Sequence, residues 1–415
     1  MEEDYMNESK SLPISKRMVW RAFQGVKASQ GGAGIDGVDL EEFESKLSKN
    51  LYKLWNRMAS GSYFPPPVKE VAIPKRTGGY RMLGVPTVSD RIAQRVVKNY
   101  LEPRLVQIFH SSSFGYRPGR SAHDALKQTC VNCWKYDWVV DLDIKGFFDN
   151  LDHDLLMLAL QRHTMEKWVL MYVERWLKAP VQGETGQIKQ RDKGTPQGGV
   201  ISPCLANLFL HYALDAWLDR NHDNVPFQRY ADDMILHCRT YQEACNMLNS
   251  IRERLQSCGL ELNEKKTQIV YCADSTRKGD FPNKSFTFLG YTFQPRTAMG
   301  RKGLLVSFGP AMSKSARKEM SRRIRKLVIT RRTGQSVSGL AADLNQITRG
   351  YFHYFGLFNR QNLYGIFRNI NIRLIRWARR KHKRLSSSKR RAKHWLKILY
   401  RQNPQLFMHW EFVKP

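Results

Sequence analysis

The sequence predicts an α+β body followed by a helical C-terminal region. Apolar runs typical of strands alternate with helical patterns up to about residue 300, whereas only helical patterns follow from about residue 312. A chain of 415 residues, of which 42% are hydrophobic, is able to bury a sizeable core. Because strands mixed with helices and then helices alone are typical of an α+β fold with an added domain, we expect two or three domains.

The N-terminal region is predicted to be helical over the first 60 residues, with a glycine-rich break at residues 31–34. Its acidic, polar start, residues 1–10, has the features of neither a secretory signal nor a transit peptide. Residues 71–75 form a predicted strand, and Thr77-Gly78-Gly79 predicts the turn of a hairpin whose return strand carries Arg81. Further helices are predicted over residues 90–109, 122–133, 153–177, 200–220 and 241–258.

Two predicted strand regions end in acidic residues. Residues 138–143 are apolar and β-branched and then become acidic at Asp141 and Asp143, which indicates a buried strand. Residues 227–237 predict a β-hairpin with Asp232 and Asp233 at its tip. Residues 286–293 predict a strand pair or a bent strand, and strand patterns fade after Pro295.

The charge of the chain is strongly basic and localised. There are 68 Lys and Arg residues against 37 acids, a net charge of +31. Residues 301–400 contain 26 Lys and Arg and only two acids, a net of +24. So dense a basic block favours a polyanionic partner, and nucleic acid is the obvious one. A solvated basic surface or a membrane-surface patch is the alternative, although no apolar run reaches the length of a membrane span.

Seven cysteines are scattered along the chain at irregular spacings. An odd number without a framework pattern argues against disulfides and suits a reducing cytosol. Cys130 and Cys133 form one CxxC, but no second Cys/His pair accompanies it at the spacing of a zinc site. We expect two ordinary thiols on a helix face.

The acidic strand ends are the candidate chemical centre. Crowded carboxylates repel one another, and a bound cation relieves this repulsion. Mg²⁺ prefers hard oxygen ligands and takes one or two carboxylates together with substrate phosphates. Two such ions about 3.5–4 Å apart suit nucleotidyl transfer, because they stabilise both the attacking and the leaving oxygen. A solvated turn is the ordinary explanation of one Asp-Asp pair, but the second acidic strand end favours a metal site.

The order of segments resembles that of reverse transcriptases, specifically the bacterial group II intron-encoded reverse transcriptase/maturase type. The motifs that carry this resemblance are residues 34–37, 73–75 and 113–118 (N-terminal extension and fingers), 139–149 (first palm motif), 194–203 (nucleotide-contacting motif), Tyr230-Ala231-Asp232-Asp233 (hallmark box), 259–267 (last palm motif) and 288–291 (primer grip). The resemblance covers roughly residues 20–360. Residues 344–356 and the basic tail 376–391 resemble the thumb and maturase region.

The resemblance implies a right-hand polymerase with α+β fingers and an antiparallel-sheet palm, followed by an α-helical thumb/maturase domain. It implies an RNA-directed DNA polymerase that copies RNA into cDNA with two Mg²⁺ ions, for which Mn²⁺ substitutes. The implied metal ligands are Asp143, Asp232 and Asp233. Asp143 is preferred to Asp141 because the family's ligand lies five residues before the aromatic that excludes a ribose, here Phe148. Asp141 is expected to play a supporting role.

Further roles follow from the resemblance residue by residue. Gln197 resembles the contact to the incoming nucleotide, and Lys75 and Arg81 resemble the cations on its triphosphate. Lys265 or Lys266 resembles a general acid for the pyrophosphate, with a solvated helix end as the alternative. Phe147 is expected in the core and Phe148 in the site, because neighbouring residues on a strand point to opposite faces.

The expected partners are group II intron RNA, an RNA template paired with a DNA primer, and target DNA, with no membrane. The expected nucleic-acid contacts are Arg117, Arg322, Arg323, Arg325, Lys326, Arg376, Arg379 and Arg380. The expected location is the bacterial cytosol or nucleoid. The expected domains are an N-terminal extension (1–60), fingers and palm (61–300), a thumb/maturase domain (301–385) and a basic tail (386–415).

The sequence departs from many members of the resembled family, because it has no C-terminal cluster of cysteine pairs and histidines. We therefore expect no intrinsic second-strand DNA cleavage, and priming from a strand made elsewhere. Two alternatives remain open at this point: an RNA-binding maturase whose polymerase is incidental, and a domesticated host or defence reverse transcriptase without intron mobility.

Overall fold

The structure is a computed structural model that describes residues 12–75, 78–300 and 303–415. The predicted acidic start and Thr77 of the predicted hairpin turn lie outside the described residues. The chain divides into two compact units. The first comprises Met1–Ala125 and Val140–Gln268, and the second comprises Leu126–Val139 and Ile269–Pro415.

In chain order, the elements up to residue 271 are α1 (Lys16–Ser29), α2 (Leu40–Ser45), α3 (Leu47–Ala59), β1 (Val68–Pro74), β2 (Tyr80–Val85), α4 (Val88–Ile108), α5 (Ala122–Lys135), β3 (Trp138–Asp143), α6 (Phe147–Asn150), α7 (His153–Gln161), α8 (Lys167–Leu177), β4 (Val181–Gln182), β5 (Ile188–Lys189), α9 (Ser202–Leu210), a π-helical turn (His211–Asp215), α10 (Ala216–Asn221), β6 (Phe227–Tyr230), β7 (Asp233–Cys238), α11 (Tyr241–Ser257) and β8 (Gln268–Tyr271). The elements that follow are β9 (Phe286–Phe288), β10 (Tyr291–Gly300), β11 (Gly303–Met312), α12 (Lys314–Lys326), a 3₁₀ turn (Ile329–Arg331), α13 (Val337–Phe355), α14 (Gln361–Lys381), α15 (Lys383–Ser386), α16 (Lys389–Gln402) and a 3₁₀ turn (Met408–Glu411).

The strands form three sheets among the described residues. One has the order β2-β1-β4-β5, the second the order β6-β7-β3-β8, and the third the order β11-β10-β9. Strands β1 and β2 pair antiparallel, as do β6 and β7. The predicted α+β class, the hairpins at β1–β2 and β6–β7, and the buried strand β3 are confirmed. No helix in the described ranges combines the length and apolar character needed to cross a bilayer.

Helix α4 runs through the core of the first unit. Ile92, Ala93, Val97 and Leu101 have no exposed surface, because the helix is apolar on more than one face. Thr87 caps its start by accepting a hydrogen bond from the Asp90 amide at 3.1 Å. The helix therefore serves as a rigid support for the surrounding strands and loops.

Two predicted helical stretches are interrupted. The stretch over 153–177 is two helices, α7 and α8, separated by residues 162–166, and each buries its own apolar residues, Leu156 on α7 and Tyr172 on α8 among them. The stretch over 200–220 contains the π-helical turn between α9 and α10.

The expectation that strands end near Pro295 is wrong. Strand β10 continues to Gly300 and pairs with β11 along its whole length. Strand β9 pairs with β10 only as far as Phe293, so Pro295 lies where one edge of β10 has no partner in that sheet and a missing N–H is tolerated. The turn between β9 and β10 consists of Leu289 and Gly290, both with positive φ, which confirms the predicted strand pair. The predicted boundary at residue 300 falls at the last residue of β10 and so divides the β10–β11 hairpin between its two paired strands.

Candidate active site and nucleic-acid interface

Asp143 ends strand β3 and provides the first acidic position of the candidate site. Val140 and Leu142 are buried, whereas Asp141 and Asp143 are partly exposed. Since side chains alternate along a strand, the two aspartates lie on the same face. Strand β3 is the neighbour of β7 in its sheet, so this face adjoins the hairpin that carries Asp232 and Asp233.

Asp143 is held by two side chains from the segment after α11. Lys266 Nζ lies 2.8 Å and 2.9 Å from the two carboxylate oxygens. Asn263 Nδ2 donates to Oδ2 at 3.0 Å, and the Asn263 amide donates to the Asp143 carbonyl at 2.8 Å. Lys265 and Lys266 were both candidates for this region, and the structure brings Lys266 to the carboxylate. Asn263 lies within the motif of residues 259–267 but had no predicted role, because the local sequence does not show that its side chain contacts a strand 120 positions away.

The hairpin turn between β6 and β7 carries the other two aspartates. Tyr230 pairs with Asp233 across the strands, which leaves Ala231 and Asp232 as the turn. Ala231 has a φ of 59°, in the left-handed region that costs a residue with a Cβ about 1–2 kcal/mol. The backbone of Gly115 lies so close that a Cβ there would meet the Ala231 nitrogen at 2.5 Å. The surrounding structure therefore has to hold this turn in place.

The pKa values of Asp141, Asp232 and Asp233 are raised, first by desolvation and then by the charges of neighbouring carboxylates. Desolvation is the largest cause of the raised pKa of Asp232, and the charge of Asp143 adds to it. The pKa of Asp233 is raised to about 7 by desolvation and then by the charges of Asp232 and Asp143. Because Asp233 is exposed at the start of β7, the neighbouring charges are the firmer of these causes. The pKa of Asp141 is also raised to about 7, by desolvation first and by Asp233 and Asp143 afterwards. The three predicted ligands and Asp141 therefore form one electrostatic cluster.

Two further groups from the fingers lie within electrostatic range of this cluster. The positive charge of Arg81 on β2 lowers the pKa of Asp232 and Asp233 against the larger raising causes. The pKa of Tyr116 is raised by desolvation and then by Asp232. Lys75 lies at the exposed end of β1, where its amide donates to the Gly79 carbonyl at 2.9 Å. The structure thus brings Arg81 near the aspartates and leaves Lys75 at the tip of the hairpin.

Phe148 and Gln197 lie on neighbouring segments. Phe147 is buried at 2% exposure beside Phe209, which agrees with its expected place in the core, whereas Phe148 is half-buried. The predicted cause, alternation of side chains along a strand, was wrong, because Phe147 and Phe148 belong to the short helix α6. The Thr195 amide donates to the Phe148 carbonyl at 2.7 Å, and the Gln197 carbonyl accepts from the Gly84 amide at 2.8 Å. The loop of Gln197 is therefore fixed between α6 and β2.

The chemistry of the aspartates determines whether the site fits a metal ion. Among residues 12–75, 78–300 and 303–415, no group of three or more His, Cys, Asp or Glu side chains closes around a point suited to a metal. The aspartates nevertheless fit divalent cations, because their oxygens are hard donors and their mutual repulsion is relieved by positive charge. Lys266 supplies such a charge to Asp143 in the structure.

The arginines predicted to contact nucleic acid differ in the hydrogen bonds and ion pairs that they already form within the protein. Arg117 donates to the carbonyls of His110, Ser113 and Val106 at 2.6 Å, 2.7 Å and 3.2 Å, which supports a local structural role. Arg322 and Arg323 both pair with Glu319 and remain exposed. Arg379 donates to the Ser386 carbonyl and Arg380 to the Thr330 carbonyl.

A groove of about 690 Å³ between α12 and α14 collects other basic residues of the second unit. The residues that line it are Arg317, Lys318, Ser321, Ile324, Arg325, Gln361, Asn362, Gly365, Ile366, Asn369, Ile372, Arg373 and Arg376. The lining contains five cations, several amide side chains and no acid. Arg376 also lines a second cavity with Arg379 and Arg380, so a row of cations continues along α14. Such a surface suits the phosphates and sugar hydroxyls of a nucleic-acid backbone.

Comparison with protein families gave two matches. The model of the reverse transcriptase (RNA-dependent DNA polymerase) family matches residues 73–293, just over half of the chain. The model of the group II intron maturase-specific domain matches residues 317–395. The first match contains all three predicted ligands, and the second contains the α12–α14 groove.

Individual relatives agree with these matches. Protein YkfC of Escherichia coli K12 is 31% identical over 298 residues, which cover 62% of this chain and 74% of YkfC. The group II intron-encoded protein LtrA of Lactococcus lactis is 31% identical over 268 residues, which cover 62% of this chain but only 44% of LtrA. A solved telomerase from Candida albicans, in complex with a fragment of telomeric RNA, aligns over 90% of this chain and 68% of its own with a TM-score of 0.47 and 13% identity. That structural likeness is too low to carry an argument.

Proposed function

The chain belongs to the reverse transcriptase family of RNA-dependent DNA polymerases, and from this premise we propose that it copies RNA into DNA at the site of Asp143, Asp232 and Asp233. The observation that carries the proposal is the electrostatic cluster of these carboxylates at the ends of neighbouring strands. A divalent metal is implied by the family. We propose two Mg²⁺ ions, with Mn²⁺ as a substitute, held by the three aspartates; when bound, they activate the primer hydroxyl and neutralise charge on the transferring phosphate.

The chain's own residues bind and orient the nucleotide in this proposal. Arg81 and Lys75 contact the triphosphate, where fixed cations stabilise negative charge. Gln197 contacts the incoming nucleotide from a loop fixed by the Gly84 amide. Phe148 excludes a ribose 2′-hydroxyl by its bulk. Once the Lys266 side chain has moved away from Asp143, it donates a proton to the departing pyrophosphate.

The second unit binds RNA in this proposal. The groove between α12 and α14 presents cations without acids, and duplexes of A-form geometry are held mainly through their backbone and shape. Its partners are an RNA template paired with a DNA primer, group II intron RNA and target DNA. Because the groove lies in the segment that matches the maturase-specific domain, a splicing maturase role with support for intron mobility is part of the proposal.

Primer extension tests the polymerase. Purified protein is given an RNA template, a DNA primer, deoxynucleotides and Mg²⁺, alongside the variant Asp232→Asn. Wild type should extend the primer, and the variant should lose nearly all activity while it retains RNA affinity, because the basic groove belongs to the other unit. The matched control is Glu184→Gln, an exposed acid between β4 and β5 that should extend normally.

Two outcomes would contradict parts of the proposal. Equal loss of extension and RNA affinity in Asp232→Asn would refute the separation of catalysis from binding. No extension by wild type, with tight and salt-sensitive RNA binding retained, would refute the polymerase and leave the RNA-binding maturase as the function.

A further inference from the structure

A buried ion pair lies behind the turn that carries Asp232 and Asp233. Arg229 on β6 and Asp215 at the end of the π-helical turn both have fully buried side chains. Arg229 Nε donates to one carboxylate oxygen of Asp215 at 2.6 Å, and Nη2 donates to the other at 2.5 Å. This two-point contact fixes the plane of the guanidinium as well as its position.

The remaining donors of Arg229 reach three other segments. Nη1 donates to the Ala231 carbonyl at 3.1 Å and to Asn207 Oδ1 at 3.0 Å. Nη2 also donates to the Ser113 hydroxyl at 2.9 Å. A guanidinium has five N–H groups, so every one of them has an acceptor here. One of these acceptors, the Ala231 carbonyl, directly precedes Asp232 in the chain.

The same contacts secure the segment that packs against the turn. Asn207 Nδ2 donates to the Gly115 carbonyl at 2.7 Å while its oxygen accepts from Arg229. Gly115 in turn lies against the peptide between Tyr230 and Ala231. The left-handed conformation of Ala231 is therefore held from its carbonyl by Arg229 and from its nitrogen side by Gly115.

We propose that Arg229, oriented by Asp215, is a positioning residue that sets the direction in which Asp232 and Asp233 present their carboxylates. It acts through the Ala231 carbonyl and contacts neither substrate nor metal. The π-helical turn fits this role, since such turns are frequent at functional sites and here one ends at Asp215. The inference rests on the proposed function, in which those carboxylates are the metal ligands.

A purely structural ion pair and a positioning pair behave differently on replacement. Burial of charge costs solvation, so apolar residues of similar volume often replace a buried ion pair without loss of stability. If Arg229 and Asp215 only filled the core, the double variant Arg229→Met/Asp215→Leu would fold and act like wild type. If Arg229 positions the turn, that variant folds, but its Asp232 and Asp233 carboxylates are misdirected, so metal affinity and incorporation rate fall.

The experiment compares the wild-type protein with three variants. Arg229→Lys keeps the positive charge but loses the planar fork of donors, and Arg229→Met/Asp215→Leu removes both charges. The control Tyr63→Phe removes a buried hydrogen bond of 2.8 Å from the Tyr63 hydroxyl to Asp90. This bond lies in the same unit but involves no residue of the Ala231 turn. Each is measured for thermal unfolding, for Mn²⁺ affinity by titration calorimetry without nucleotide, and for single-turnover incorporation of one deoxynucleotide.

We expect both Arg229 variants to bind Mn²⁺ about 10-fold more weakly or worse, the range found when groups that orient metal ligands are removed. Their incorporation rate should fall while the KM for the nucleotide stays near that of wild type. Tyr63→Phe should unfold at a lower temperature and keep both metal affinity and rate. Partial recovery of the rate in Arg229→Lys relative to the double variant would further support positioning.

The inference is overturned if the double variant folds and retains wild-type Mn²⁺ affinity, or if Tyr63→Phe loses Mn²⁺ affinity along with its melting temperature to the same degree as the Arg229 variants. Loss of Mn²⁺ affinity in the Arg229 variants, together with a wild type that extends no primer, would support the inference while it refutes the polymerase. The two failures are therefore separable.

Discussion

Lys266 Nζ lies within hydrogen-bond distance of both carboxylate oxygens of Asp143, at 2.8 Å and 2.9 Å. The lysine side chain is 60% exposed and the aspartate side chain 16% exposed, so the cation approaches from the open side of the site. A divalent cation that binds Asp143 from that side meets the positive charge of Lys266. Under the proposed function, Lys266 therefore competes with the metal and lies beside the reacting phosphate.

Replacement of Lys266 should separate these two effects. In Lys266→Met, direct Mn²⁺ binding without nucleotide should tighten several-fold, because a competing charge is gone. Nucleotide incorporation should nevertheless fall by about 10²-fold or more, the contribution typical of a positioned proton donor. Calorimetry and single-turnover kinetics measure the two quantities. Lys265→Met is the matched control, an exposed lysine one position earlier; if it behaves like Lys266→Met, the specific role of Lys266 is refuted.

Substitution of Phe148 should admit ribonucleotides. Phe148→Ala opens space on helix α6 beside the proposed sugar site, and the preference for deoxynucleotides should fall by about 10-fold to 200-fold, the range that small steric contacts supply. The measurement is the ratio of kcat/KM for a deoxynucleotide and its ribonucleotide. Phe147→Ala is the contrast: its buried ring should cost about 3–5 kcal/mol of stability and leave the ratio unchanged. An unchanged ratio in Phe148→Ala would refute the steric role.

Arg376 should contribute to RNA affinity through a phosphate contact. In Arg376→Gln the affinity should fall at low salt, and the slope of log K against log salt should become shallower by roughly 0.7–0.9, the value for one phosphate contact. Filter binding of a structured RNA over a range of KCl concentrations gives both numbers. Arg322→Gln provides the comparison, since Arg322 is exposed but already paired with Glu319 and lies outside the groove lining. A slope that does not change in Arg376→Gln would place the RNA elsewhere.

Acid should destabilise the second unit through His409. Burial lowers the pKa of this histidine to about 3, and its Nε2 lies 2.7 Å from Asn371 Oδ1. Below about pH 6.5 the unfolded chain binds a proton that the folded chain does not, so stability is full above that pH and falls by about 1.4 kcal/mol per pH unit as the pH drops towards 3.

Thermal unfolding between pH 7 and pH 4 checks this, with His409→Gln as the test variant and the exposed His394→Gln as the control. The pH dependence should become shallower in His409→Gln and stay unchanged in His394→Gln. Identical pH profiles in wild type and His409→Gln would show that this histidine does not control acid stability.

The sequence was informative where local pattern and chemistry coincide. Asp143, Asp232 and Asp233 stand at abrupt changes from apolar to acidic residues, and such changes mark strand ends that face an open groove. The hairpins at β1–β2 and β6–β7 were predictable for the same reason, since alternation and turn residues are local properties. The local pattern indicates the two acidic strand ends, whereas the choice of Asp143, Asp232 and Asp233 as one ligand set followed from the resemblance to reverse transcriptases.

Long-range partners were not predictable in this way. Nothing in the sequence near Arg229 marks it as buried, because burial depends on Asp215, Asn207 and Ser113 lying around it in space. The π-helical turn was missed because its residues have ordinary helical patterning. The path of β10 past Pro295 depends on where β9 stops, which is a property of the sheet and not of the proline.

The contacts around the Ala231 turn also have a consequence for synthesis of the protein. The hydrogen bond from Arg229 to Ser113 joins positions 116 residues apart, and that from Asn207 to Gly115 joins positions 92 apart. A growing chain is made from its N-terminus, so Ser113 and Gly115 leave the ribosome long before their partners exist. An incomplete chain therefore lacks the packed turn even after Asp143 has been made. Together, these contacts require a chain that has been made at least as far as the turn at Ala231.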